Sequence, residues 1–353
     1  MRAPAHERPV KGAALLSYAA VDPGAPSISD RLAILWLRAT LAAAGEGRLP
    51  DALGPTLHGA LGRALKLTAC VLPDPLEQSC AGCALLDRCP YPPLVEPQHR
   101  PRDGQTRPAA LLAAPLAPIP RAIGLGGLLR LDLALVGRAG EGLPLLLSAL
   151  SRMARTGIGL ARVPYAMVRV DALDAAGRPV GAVQVGDELN GQAPRPLSLA
   201  TWTTRGAASG FHTTVRVGLT SSLCLKREGA ITASAPTFVD MIRALSRRAD
   251  ALARAYCGED SAFPDPRPWL EAAETVRVTD ARVTWERRQR RSASTGQTMP
   301  LDGMTGWIDY AADGETLAPF LPLLFLGEAL GVGRGCAFGN GRYRLRFSHA
   351  ANE

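Results

Sequence analysis

The sequence predicts an α+β fold made of two tandem ferredoxin-like βαββαβ domains, the first with a cysteine-rich insertion. Three observations lead there. The second half alternates its signals as strand, helix, strand, strand, helix, strand, which right-handed crossovers fold into an antiparallel sheet with both helices on one face. The first half can be read in the same order. The two halves also echo one another, "LPLLLSALSRMARTGIGLARVPYAMVRV" against "LPLLFLGEALGVGRGCAFGNGRYRLRF", each an apolar helix, a glycine turn and a strand. With 353 residues, 47% of them hydrophobic, the chain is long enough for two cores.

A proline-rich extension (1–28) comes first. "RLAILWLRATLA" has strand composition. "DALGPTLHGALGRALKLTAC" sets Leu57, Leu61, Ala64 and Leu65 on one helical stripe, with Pro55 near its start. The insertion spans 70–120, and from Pro90 to Pro120 it reads as a long surface excursion. "GGLLRLDLALVG" alternates Leu129, Leu131, Leu133 and Leu135 with Arg130 and Asp132, as a half-buried strand does. "GLPLLLSALSRMART" is a helix, "GIGLARVPYAMVRVDAL" a glycine turn into a strand, and "GRPVGAVQVGD" a further strand. Gly, Pro, Ser and Thr gather around 190–210, which places the boundary between an N-terminal domain (29–195) and a C-terminal one (205–353).

Beyond it "FHTTVRVGLTSSLCLK" is a strand running into a loop. "PTFVDMIRALSRRADALARAYCG" puts Phe238, Ile242, Leu245, Ala249, Leu252 and Tyr256 on one face between Pro236 and Gly258, a helix. "TVRVTDARVTWE" is a strand whose apolar parity shifts near Asp280, the mark of a bulge. "GMTGWIDYA" is another strand, "PLLFLGEAL" the last helix, and "GRYRLRF" an arginine-striped last strand after a glycine-rich loop.

Forty Lys plus Arg face 32 Asp plus Glu, a net charge of +8 that suits a polyanionic partner. All the basic residues except Lys11, Lys66 and Lys226 are arginine, which suits bidentate phosphate contacts. No window of about twenty apolar residues lacks charge, so no membrane span is expected. The N-terminal run is too brief and too charged to read as a signal peptide. Seven cysteines, four of them crowded, point to a metal knuckle in a reducing cytoplasm. Cys70, Cys80, Cys83 and Cys89 are spaced C-x9-C-x2-C-x5-C, which suits a closed structural zinc site; buried thiols or an iron–sulfur cluster are the alternatives. Cys224, Cys257 and Cys336 read as packing residues.

The block "GETLAPFLPLLFLGEALGVGRGCAFGNGRYRL" resembles the C-terminus of the CRISPR precursor-RNA processing endoribonuclease, the Cas-six type of the RAMP superfamily. "LHGALGRALKLTAC" with "CAGCALLDRCPYPPLVEP" looks like that family's first helix and the cysteine cluster of one branch. "SSLCLKREG" with "FVDMIRALSRRADAL", and "WERRQRRSASTGQTMPLDGMTGWIDY", resemble two further blocks. The resemblance implies RRM-related domains that bind CRISPR repeat RNA and cleave it once. It implies metal-independent attack by the neighbouring 2′-OH, giving a 2′,3′-cyclic phosphate and a 5′-OH, with effector-complex subunits as further partners. Two other classes stay open: a crRNA-binding RAMP subunit that does not cleave, and a zinc-stabilised RNA-binding protein outside CRISPR.

Such chemistry needs proton transfer, for which histidine is best tuned. In several family members the catalytic histidine lies on the first helix and faces the glycine loop, which selects His58. No tyrosine stands nearby to complete a His, Tyr and Lys set, but Lys66 or Arg63 could supply charge. His212, on the strand leading to Lys226 and Arg227, is the second candidate. For both histidines the competing reading is an ordinary residue of its element. For the RNA backbone the candidates are Gly331, Gly333, Gly335, Gly339 and Gly341, whose bare amides could turn to a phosphate, with Arg334, Arg342 and Arg344. Tight turns are the competing reading of the glycines. Arg287, Arg288, Arg290 and Arg291 form the densest basic run and suit a hairpin backbone, against a solvated loop. Trp285 and Trp307 are assigned to the core, and Arg243, Arg247 and Arg254 to a solvated helix face.

Overall fold

The computed structural model describes residues 32–97, 107–159, 161–209, 212–227, 229–258, 266–291 and 296–348. The extension 1–28 and part of the insertion lie outside the described residues. The N-terminal domain contains β1 (Ile34–Ala43), α1 (Leu53–Ala69), β2 (Leu111–Pro115), β3 (Leu128–Val136), α2 (Leu143–Thr156) and β4 (Tyr165–Leu173). Its sheet has the order β2-β3-β1-β4 and is extended by β5 (Pro179–Val185) and β6 (Glu188–Leu189), with every pair antiparallel.

After α3 (Leu199–Ala208), the C-terminal domain repeats the plan with β7 (Thr214–Leu223), α4 (Phe238–Tyr256) and β8 (Arg277–Glu286). A small hairpin, β9 (Gln289–Arg291) and β10 (Thr298–Pro300), precedes β11 (Gly303–Ala311), α5 (Leu321–Leu330) and β12 (Tyr343–Ser348). The sheet order β8-β11-β7-β12 is the N-terminal order again, strand for strand. Two ferredoxin-like domains in tandem are therefore present, as the alternation of signals predicts.

Local chemistry explains the elements. The Thr237 hydroxyl accepts from the Asp240 amide at 3.2 Å while the Asp240 carboxylate accepts from the Thr237 amide at 3.0 Å, so α4 opens on a reciprocal capping box. Its predicted stripe, Phe238 to Tyr256, is buried throughout. The register of β8 slips between Val278 and Asp280, where the parity shift was expected. Leu57, Leu61, Ala64 and Leu65 seat α1 on the sheet.

Three expectations need correction. Residues 111–115 are not surface: Leu111, Leu112, Ala113 and Ala114 are buried in β2, a strand too short and too proline-flanked for alternation to show. The linker region holds α3, which a Ser198–Thr201 capping box starts and fully buried Trp202 anchors. Its Arg205 donates to Glu328 of α5 at 2.7 Å and stacks 3.6 Å over Phe325. Finally, β3 is buried on both faces from Leu131 onward, Asp132 and Ala134 included, because the C-terminal domain covers the side that α1 and α2 do not, while Leu128 and Arg130 stay exposed. There Asp132, 2% exposed, accepts from Arg38 Nε at 2.7 Å and from Arg344 Nη2 at 3.2 Å. One carboxylate thus ties the domains together.

Candidate functional site

The loop between α5 and β12 lies where the domains meet. All five of its predicted glycines have positive φ, from 69° at Gly331 to 82° at Gly333. A Cβ on Gly341 would stand 1.8 Å from the Val332 carbonyl oxygen, and one on Gly333 2.5 Å from that of Cys224. Only glycine folds this way in that space. The amides of Val332, Arg334, Gly339, Asn340 and Gly341 donate to Gly341, Cys224, Cys336, Gly335 and Ser222 respectively. Of the five glycines whose amides could turn to a phosphate, Gly331, Gly339 and Gly341 donate within the protein, to Gly327, Cys336 and Ser222.

What the loop presents is its short helical turn, Cys336–Phe338. The turn sits on α1 so closely that a Cβ on Gly54 would be 2.0 Å from the Phe338 oxygen, and Gly339 abuts Ala113 and Ala114 of β2. One helical turn along α1, His58 meets the Phe338 ring edge to face, centroids 4.8 Å apart. The Arg290 guanidinium of β9 lies over the same ring at 4.0 Å. Three separate segments, α1, the glycine-rich loop and the β9–β10 hairpin, thereby surround one aromatic ring.

The electrostatics follow from that packing. Burial lowers the pKa of His58 from 6.5, and the Arg290 charge lowers it further; the backbone hydrogen bond to Ala337 and the charge of Glu96 oppose this. His58 is therefore neutral at pH 7, the form that can accept a proton. Burial also lowers the pKa of Arg290. A fixed cation beside a neutral imidazole can take up a phosphodiester and deprotonate a hydroxyl next to it.

The other catalytic candidates are elsewhere. Lys66 Nζ donates to the Gln78 carbonyl at 2.7 Å and faces the Tyr91 ring at 5.7 Å, so it belongs to the cysteine-rich segment. His212 stacks on Phe347 at 4.4 Å. It precedes the end of β7 that pairs with Ser348, whereas the glycine loop bonds to Ser222 at the other end of that strand. About thirty ångströms of strand separate the two histidines' ends of the sheet.

Several arginine candidates are tied to partners within the protein. Arg342, only 8% exposed, donates to the Ala329 carbonyl, and Arg248 Nε donates to that of Leu330 at 3.0 Å. Two cations thus cap the C-terminus of α5. Arg344 binds Asp132, Arg227 binds Asp240 at 2.5 Å, and Arg288 binds Glu286 at 2.5 Å. Arg63, Lys226, Arg287 and Arg334 are exposed. The backbone of Arg291 pairs with Thr298.

All four clustered cysteines are half-buried free thiols. Burial raises the pKa of Cys80, against the pull of Lys66, and Glu96, Cys89 and Cys70 raise it further, so both of these cysteines lie near Cys80. Among the described residues, however, no group of three or more His, Cys, Asp or Glu is arranged to hold a metal ion. Nor, among the described residues, is any helix long and apolar enough to cross a membrane.

Sequence reading missed Phe338 as the centre of the site and Asp132 as its brace. The only local signal for Phe338 was its place between Gly335 and Gly339. Nothing in the run "RRQRR" distinguishes Arg290 from its neighbours; its place over the Phe338 ring does.

Residues 217–343 match the family model of the CRISPR-associated endoribonuclease Cas6, and residues 32–195 match a model described as an N-terminal domain. Among solved structures the chain is similar to the partial Cas6-RT-Cas1–Cas2 complex, with 13% identity over 91% of this chain and a TM-score of 0.56. It spans about half of that longer chain, 47%. It is also similar to a Cas6 product complex (19% identity, 88% of this chain, 99% of that one, TM-score 0.51) and to Thermus thermophilus Cas6 (16%, 89% and 99%, TM-score 0.50). At such identities the likenesses carry the fold. No curated protein sequence matches significantly.

Proposed function

We propose that this chain, whose residues 217–343 match the family model of the CRISPR-associated endoribonuclease Cas6, binds CRISPR repeat RNA where its two domains meet and cuts one phosphodiester there. The observation that carries this reading is His58, held against the glycine-rich loop with Arg290 across the Phe338 ring. No metal takes part. His58 removes the 2′-OH proton, that oxygen attacks the adjacent phosphorus, and Arg290 stabilises the added charge. The new O2′–P bond replaces the P–O5′ bond, and the 5′ oxygen takes a proton from water. The products are a 2′,3′-cyclic phosphate and a 5′-OH, and the protein keeps the crRNA for an effector complex. Exposed Arg63, Lys226, Arg287 and Arg334 provide further backbone contacts.

The test is purified protein with its repeat RNA in EDTA, beside the same RNA carrying a 2′-deoxy at the scissile position. Cleavage of the first alone is expected. Binding without cleavage of either RNA would instead support a crRNA-holding subunit, a reading favoured by the distance of Lys66 and His212 from His58.

A structural zinc at Cys70, Cys80, Cys83 and Cys89 is a separate proposal. It rests on donor chemistry, four thiols in twenty residues. Metal would have to draw the sulfurs together. Elemental analysis of protein purified without chelator should find one zinc per chain, lost in Cys80→Ser with Cys83→Ser. Metal-free, fully folded wild type would reject it.

A further inference from the structure

The helices α4 and α5 cover one face of the C-terminal sheet, burying Val215, Val217, Ile308, Tyr310 and Tyr343. The opposite face has a definite pattern. Across strands β12, β7, β11 and β8 one row of register partners reads Arg344, Gly218, Trp307, Arg282, and the next reads Arg346, Arg216, Asp309, Asp280. Trp307, assigned to the core on sequence, is half-buried on this face.

Arg216 occupies the middle of the pattern. Its Nε and Nη2 donate to the two carboxylate oxygens of Asp309 at 2.7 and 2.6 Å, which holds the guanidinium in one plane. The guanidinium carbon lies over the Trp307 ring, 3.8 Å from its centroid. One edge is taken by the carboxylate and one face by the indole, yet the side chain remains 41% exposed. The capacity left to it is the outer face of a flat, pre-oriented cation, which is a surface for stacking. Its charge is largely spent on Asp309, and exposed Asp280 lies beyond, so the patch centre does not attract phosphate. The exposed cations lie at its rims, Arg282 on β8 and Arg346 on β12.

We propose that this face binds an unpaired segment of the RNA, one base stacked on the Arg216 guanidinium that Trp307 backs, with flanking phosphates on Arg282 and Arg346. The inference rests on the RNA-processing reading above but concerns a separate surface. Base stacking of this kind tolerates sequence, and the arginine plane is held without the RNA, so little ordering is needed on binding.

The test is an abasic scan through the unpaired nucleotides of fluorescein-labelled repeat RNA, measured with wild type and with Arg216→Lys, which keeps the charge but loses the plane. One abasic position should weaken wild-type binding about tenfold and weaken Arg216→Lys no further. Because Arg216→Lys also disturbs Asp309, the double variant Arg282→Ala, Arg346→Ala, altered only at exposed positions, provides a second reading. The slope of log affinity against log salt should fall in magnitude by about 1.4, about 0.7 for each lost contact to a single strand. If no abasic position separates wild type from Arg216→Lys and the double variant keeps the wild-type slope, the proposal is overturned. Failure of wild type to bind the intact repeat RNA would overturn the RNA-processing reading itself and this inference with it.

Discussion

With His58→Ala, cleavage of the repeat RNA under single-turnover conditions is expected to slow by about 10²-fold or more, with the dissociation constant of the complex unchanged. The reason is positional. His58 is the one candidate proton-transfer residue that the fold brings to the glycine-rich loop, and it touches the ring over which Arg290 lies. Its pH dependence follows from burial. A base must be neutral, and the pKa of His58 lies below 6.5, so the wild-type rate should be level at neutral pH and fall as acid protonates the imidazole. That step should vanish in the variant. Stability should move in the same direction: the unfolded chain takes up this proton first as pH falls below 6.5, so the contribution is complete above that value and is lost by the time pH has dropped through the lower folded pKa. An unchanged single-turnover rate in His58→Ala would reject this site.

Asp132→Ala should be the most damaging change away from the site, lowering stability by about 3 kcal/mol. The carboxylate is 2% exposed and serves Arg38 within its own sheet and Arg344 from the other domain. Removing it leaves two guanidinium groups, their side chains 16% and 35% exposed, without their shared counter-charge. The exposure of Arg344 lets water recover part of the loss, which keeps the figure at the lower end for a buried pair. Urea unfolding should show the drop, with Asp132→Asn intermediate because it keeps the shape and one acceptor. A wild-type midpoint in Asp132→Ala would show that the domains do not depend on this carboxylate. Since α1 and the glycine loop come from different domains, the same variant should also slow cleavage.

Much of this architecture was legible along the chain. The stripe of α4, the bulge in β8 and the repeated order of strands and helices all rest on spacing between near neighbours, and a single sequence displays such spacing. The fold class followed from them. So did the glycines of 331–341, where positive φ is a property of each residue's own backbone. Where an element was short, as in β2, or opened inside a polar linker, as in α3, the periodic signal had too few residues to stand out.

The site divides differently. Sequence by itself determined that a histidine would stand on the first helix and that arginines would crowd around a glycine-rich loop. Which arginine faces the histidine, and which are enclosed, only the tertiary structure decided. Arg342 caps a helix, Arg344 braces the domains, Arg227 holds a capping box, and Arg290 reaches the ring beside His58. Trp307, apolar enough to be read as core, backs an arginine on an open sheet face. The physical reason is that an arginine's role depends on its counter-charge, which here lies up to 212 positions away along the chain. Local spacing holds no record of that partner, because only the packing of one domain on the other brings the two together.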